Sequence, residues 1–200
     1  MVEKAKGSFK TFTEAIFALL GNFGNQLTQR GATEHSVHIH IFGGCAVHLH
    51  TATRMSSDLD LEIHQTVLSA KELRQSKEET GFVLIQKTED SEPDLLEIDL
   101  NFNSAIGPLH EDFDRRSRVL ECTPGSPLVV LLPSREDLAL TKLGRFSETD
   151  ISDILALMSS PDASWDLLER LTSETDTYYP GPRGSLTKKL GFVINYRRGE

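Results

Sequence analysis

Phe42-Gly43-Gly44, followed after a short helical stretch by Arg54-Met55-Ser56-Ser57-Asp58-Leu59-Asp60-Leu61-Glu62-Ile63, decides how the chain is read. Before it, Ser36-Val37-His38-Ile39-His40-Ile41-Phe42 alternates and is rich in β-branched residues, which predicts a strand ended by the glycine pair. Residues 45–53 read as a short helix and 58–63 as a second strand. Strand side chains alternate faces, so Leu59, Leu61 and Ile63 are expected in the core while Asp58, Asp60 and Glu62 line the other face. Asp58 and Asp60 would then lie about 6.6 Å apart along the strand, near enough for their oxygens to converge on a divalent cation. Magnesium suits such hard oxygens, with manganese as the other candidate.

An acidic strand face also arises for solubility alone; the preceding segment adds the specific signal. Glycines at 43 and 44 let a phosphate approach the backbone, and a following helix aims free N–H groups at it. Arg54 and Ser56 stand just before the acids, where they could contact triphosphate oxygens. Further on, Leu95-Leu96-Glu97-Ile98-Asp99-Leu100-Asn101 alternates so that Glu97, Asp99 and Asn101 share a face opposite Leu96, Ile98, Leu100 and Phe102. That face offers Asp99 as a further carboxylate.

Outward from this centre, Phe9, Phe12, Ile16, Leu19, Leu20 and Phe23 recur at helical spacing and predict a helix over 9–23. A further helix is expected at 69–79 and strands at 81–87 and 95–103, with 118–122 and 128–132 as edge strands. Ser134 opens a helix whose apolar side holds Leu138, Leu143 and Phe146; others follow at 150–158 and 164–171. The organisation expected is a core over 1–132 and a helical C-terminal region over 133–200, with a basic tail at 183–200. Arg183, Lys188, Lys189, Arg197 and Arg198 in that tail surround Phe192 and Tyr196, a composition that could hold RNA or an acidic partner, or be a solvated helix.

The glycine turn and the Arg-x-Ser-x-Asp-x-Asp stretch resemble the signature of the polymerase-β-like nucleotidyltransferase superfamily, and most of all its abortive-infection and type IV toxin branch. Leu138-Ala139-Leu140-Thr141-Lys142-Leu143-Gly144-Arg145 and Thr149-Asp150-Ile151-Ser152-Asp153-Ile154 are similar to that branch's later motifs, with Thr149 where the branch has a basic residue. The resemblance spans about 37–158. It implies an α+β fold, a mixed sheet flanked by helices, with a C-terminal helical region. It implies that Asp58, Asp60 and Asp99 hold magnesium, that Gly43, Gly44, Arg54, Ser56 and Lys142 hold a nucleoside triphosphate with Asp150 and Asp153 nearby, and that Lys142 acts on the phosphates. A nucleotidyl group would pass to an acceptor hydroxyl: a tRNA 3′ end in a toxin restrained by an antitoxin protein, a protein hydroxyl, or a small molecule such as an aminoglycoside. A nucleotide- or RNA-binding module without turnover is the alternative.

Other chemistries find less support. His38, His40, His48 and His50 lack the spacing of a zinc site and are expected as polar face residues. Cys45 and Cys122, the only cysteines, form no metal or redox pattern; Cys45 reads as a small buried side chain. No Walker or Gly-x-Gly-x-x-Gly pattern occurs. A formal net charge of −9 means that any polynucleotide must be held by a local basic patch. The start, Met-Val-Glu-Lys-Ala-Lys, lacks a secretory pattern and no run is long enough to span a bilayer, so the cytoplasm is the expected compartment.

Overall fold

Hydroxyl caps set where most of the long helices begin in the computed structural model, which describes residues 6–86, 88, 90–102, 107–120 and 124–199. Ser8–Phe9 forms a short strand, β1. Thr11 then caps α1 (Phe12–Gln29) through a reciprocal pair in which its hydroxyl accepts from Glu14 N and Glu14 accepts from Thr11 N. The helix therefore starts after Phe9, later than its apolar spacing suggests, and it runs on past Phe23 to bury Leu27 as well.

Next come β2 (Val37–Ile41), α2 (Gly43–Thr51) and β3 (Asp58–Gln65). α3 (Ala70–Thr80) opens on a Ser69–Glu72 capping box and stops at Gly81, whose φ of 64° suits glycine. β4 (Phe82–Ile85) and β5 (Asp94–Asp99) are shorter than the expected 81–87 and 95–103, and Lys87 and Asn103 lie outside the described residues. A single turn, α4 (Phe113–Arg116), precedes β6 (Arg118–Val119). The rest of the expected 118–122 strand includes Cys122, also outside the described residues. β7 is Leu128–Leu132.

The sheet has seven strands in the order β1-β4-β5-β3-β2-β7-β6. Neighbours alternate in sense: β1 with β4, β3 with β5 and β2 with β7 are parallel, while β4 with β5 and β2 with β3 are antiparallel. This is a mixed α+β architecture. In register, Leu59 lies beside Ile98, Leu61 beside Ile41 and Leu96 beside Val83, and all six side chains are buried. α1 packs on α3 and along β1, β4 and β5, so its stripe of Ile16, Leu19, Phe23 and Leu27 closes this apolar layer.

Two compact units result. The first holds the described residues of Met1–Leu49, Arg54–Phe102 and Val119–Leu132; the second holds those of His50–Thr53, Asn103–Arg118 and Pro133–Glu200. The second is built from α5 (Arg135–Lys142), α6 (Glu148–Leu157), α7 (Trp165–Thr175) and α8 (Ser185–Arg198). Ser134, Ser147 and Ser164 cap the first three. α5 ends at Lys142, so Phe146 is not on its apolar side as expected; it has a left-handed φ of 61° in the following turn. α8 begins at Gly184, which has no side chain to cap it, and Asp176 substitutes by accepting from Leu186 N, Thr187 N and the Thr187 hydroxyl. Asp137, fully buried, receives a two-pronged bond from Arg116 at 2.8 and 2.7 Å. No helix among the described residues is long and apolar enough to cross a membrane.

Candidate active site

The site is assembled from β2, the start of α2, β3 and β5, all in the first unit. The parallel pairing of β3 with β5 sets Asp58 beside Glu97 and Asp60 beside Asp99. Because Leu59 and Ile98 fill the buried layer between them, these four acids share the opposite face. Asp58, Asp60 and Asp99 are each half-buried. Asp58 accepts from the Ser57 hydroxyl at 3.0 Å, and its own N–H points to Ser56 Oγ at 3.4 Å. Asp99 Oδ1 accepts from the backbone N–H and side-chain amide of Asn101, which fixes its orientation at the strand end.

The glycine pair is pressed directly onto this face. Phe42 N donates to Asp60 O at 2.9 Å, and Gly43, at φ 61°, turns the chain into α2. A β-carbon on Gly43 would overlap the Asp60 carboxylate. One on Gly44 would meet Ser56 Cβ at 2.8 Å and Arg54 Nε at 3.0 Å. Gly43, Gly44, Arg54, Ser56, Asp58 and Asp60 are thus brought together, and the absent side chains make that closeness sterically feasible. Ser56 and Ser57 also line an open depression of about 290 Å³ with Met55, Asp94 and Leu95.

Two residues of α2 brace the arrangement. The Cys45 thiol donates to Asp58 O at 3.2 Å; burial pushes its pKa up, the Asp60 and Asp58 carboxylates add to this and Arg54 opposes it, so it stays a thiol. His48 bridges Arg54 O at 2.7 Å and the Thr13 hydroxyl at 3.0 Å, tying the loop before the acids to α1. Sequence spacing does not announce this bracing role, though a place one helical turn after Gly44 is a usable signal. His40, expected on a polar face, is instead fully buried, edge-on to His64 and near Phe42. Phe42 in turn stacks on Phe102 at 4.2 Å. Position beside β3 overrides the polar character of that imidazole, since His40 pairs in register with Glu62.

Lys142, Asp150 and Asp153 lie in the second unit. Lys142 Nζ is 2.9 Å from Asp153 Oδ2, with both side chains more than nine-tenths buried. Asp150 accepts two bonds from Arg145 and caps α6 through Ser147. Burial works to raise its pKa, but the Arg145 guanidinium and the Ser147 donors outweigh that and hold it down to about 2.

The donor chemistry of the acidic face fits a hard divalent cation: carboxylate oxygens only, beside a turn stripped of side chains. Among the described residues, no three His, Cys, Asp or Glu side chains are already gathered as a metal-holding group.

The chain belongs to the family described as "Nucleotidyltransferase of unknown function (DUF6036)", whose model matches residues 20–197. No curated protein matches it. A solution structure of the antibiotic-resistance factor ANT(2'')-Ia is similar at 15% identity, covering 94% of this chain and 98% of that one, with a TM-score of 0.45.

Proposed function

We propose that this chain transfers a nucleotidyl group from a nucleoside triphosphate to an acceptor hydroxyl, with Asp58, Asp60 and Asp99 as the metal-holding acids. The observation that carries the reading is the seating of Gly43 on the Asp60 carboxylate, which leaves a side-chain-free turn against the acidic face. Gly44 would let phosphate oxygens reach the backbone, and Ser56 Oγ and the Arg54 guanidinium would donate to them. Magnesium, when bound, would supply charge neutralisation at the phosphates, and manganese is hard enough to replace it. The acceptor oxygen bonds to the α-phosphorus, the bond to the β-phosphate oxygen breaks, and pyrophosphate leaves with that electron pair. The hydroxyl proton passes to a carboxylate, for which Asp99 is the candidate. Lys142 keeps, as part of this proposal, its role as a point charge for the β- and γ-phosphates.

For the acceptor we favour a tRNA 3′ end, on the resemblance of Arg54-x-Ser56-x-Asp58-x-Asp60 to the toxin branch, with an antitoxin protein as partner. The rival reading, a nucleotide- or RNA-binding module without turnover, draws on the ion pairs that already engage Lys142, Arg145, Asp150 and Asp153. The experiment is to incubate the protein with each α-labelled triphosphate and magnesium, offering tRNA, cellular protein or an aminoglycoside in turn. Label entering tRNA supports the proposal; label in protein or aminoglycoside keeps the chemistry and replaces the acceptor. Nucleotide binding with label entering none of them supports the rival.

A further inference from the structure

Ser185–Arg198 carries Lys188, Lys189, Arg197 and Arg198 and no acid, on a chain whose formal net charge is −9. One side of this helix buries Leu186, Leu190 and Val193. The other holds Phe192 and Tyr196 one turn apart, 55% and 61% exposed. Leaving two aromatic rings in water forgoes the burial they would gain in a core, so their shared face invites a ligand. The rings stack nearly parallel, 17° apart in plane with centroids at 6.3 Å.

The ring pair is braced from one end. Phe146 meets Phe192 edge-on at 6.0 Å, from a left-handed backbone (φ 61°) that bulky residues rarely adopt. Lys189 donates to Leu143 O and Gly144 O at 2.7 Å each and lies 5.5 Å from the centre of the Phe146 ring. Lys188 precedes Phe192 by one turn on the exposed side. Arg197, one turn after buried Val193, points away from these rings: its guanidinium sits 4.9 Å over Trp165, and both line a groove of about 360 Å³.

We propose that this face of α8 binds single-stranded nucleic acid, with bases stacked on Phe192 and Tyr196 and backbone phosphates on Lys188 and Arg198. Every base has a flat π-face, and exposed rings flanked by cations match both halves of a nucleotide chain. A duplex hides its base faces, and a second copy of this chain would bring its own net negative charge. An acidic peptide would use the cations and leave the rings idle. The proposal does not depend on transfer chemistry, because a chain without turnover would still bind.

Fluorescence anisotropy of the full chain with a labelled, unstructured RNA of about twelve nucleotides tests it, with DNA of the same sequence and an RNA duplex as parallel arms. The single strands bind and the duplex binds more weakly. Phe192→Ala with Tyr196→Ala weakens binding about tenfold or more, and Phe192→Trp with Tyr196→Phe restores it. Lys188→Gln makes the logarithmic salt dependence shallower by about 0.7. Should the alanine pair disturb folding, Phe192→Leu with Tyr196→Leu keeps apolar contact with Phe146 and still removes the stacking faces. Any of four results overturns the proposal: no binding by the parent chain, equal affinity for the duplex, affinity untouched in the alanine and leucine variants, or displacement by polyglutamate regardless of the aromatic changes. Sedimentation showing a dimer that the alanine pair dissociates, with RNA binding unchanged, would assign the face to self-association instead.

Discussion

Gly43 lies so close to Asp60 that a β-carbon there would overlap the carboxylate. Its φ of 61° adds a second restriction, one of backbone conformation. Gly43→Ala should therefore lose about 1–3 kcal/mol of stability and displace Asp60, abolishing transfer. Gly44 has no such φ and meets Ser56 and Arg54 instead, so Gly44→Ala should raise KM for the triphosphate more than it lowers stability. Denaturant titration and steady-state kinetics separate the two. A Gly43→Ala chain as stable and active as the parent would show that Asp60 can turn aside without consequence.

What local pattern could carry was legible. Strand alternation put Leu59 and Leu61 in the buried layer, and the helix that Ser134 opens starts where expected, whereas α6 opens on Ser147, ahead of the expected start at 150. What depends on distant pairing was not. Ser8–Phe9 is a strand only because it adds to Leu84–Ile85, and this pairing, with the Thr11 cap, overrode a helical spacing that included Phe9. His40 reads as a polar-face residue until β3 is placed beside it. In the candidate site, the common face of Asp58 and Asp60 follows from a period of two, whereas the addition of Glu97 follows from the β3–β5 register, which no local spacing encodes.

Asp58→Asn with Asp60→Asn should reduce nucleotidyl transfer by about a thousandfold or more while the fold survives, since these groups would hold the cation that neutralises the phosphates. Both side chains are half-buried on a face that also carries Glu97 and Asp99. Removing two like charges from it should leave the melting temperature of the metal-free protein unchanged or higher. Label transfer together with melting followed by circular dichroism checks both halves. Undiminished transfer would refute the site.

The Lys142–Asp153 pair is buried on both sides, at 2.9 Å. Asp153→Asn would leave an ammonium in a desolvated position and should cost about 3–5 kcal/mol. Lys142→Met combined with Asp153→Leu should recover most of that, because neither charge then remains to be desolvated. Denaturant midpoints of the single and double variants decide it: a double variant no better than the single would mean that the loss comes from packing rather than from charge.

Acid should destabilise the protein in two separate windows. His50 is held neutral, with a pKa near 4 against an ordinary 6.5; burial is the main cause, the hydrogen bond to Pro133 O opposes it, and Arg135 and Arg118 lower it further. The folded value lies below the unfolded one, so the unfolded chain takes up the proton first. This contribution is complete above pH 6.5 and is lost as pH falls toward 4, with a slope of at most about 1.4 kcal/mol per pH unit. Asp150, at about 2 against 3.8, behaves likewise over a lower range, because its bonds to Arg145 and Ser147 favour the ionised form in the fold. Its contribution is complete above pH 3.8 and is lost as pH falls toward 2. Urea midpoints measured from pH 7 to pH 2 should show both declines, with His50→Asn flattening the first and Asp150→Asn the second. A parent curve that is level between pH 6.5 and 4 would mean that His50 takes up its proton without disturbing its bond to Pro133, and so is not held neutral by the fold.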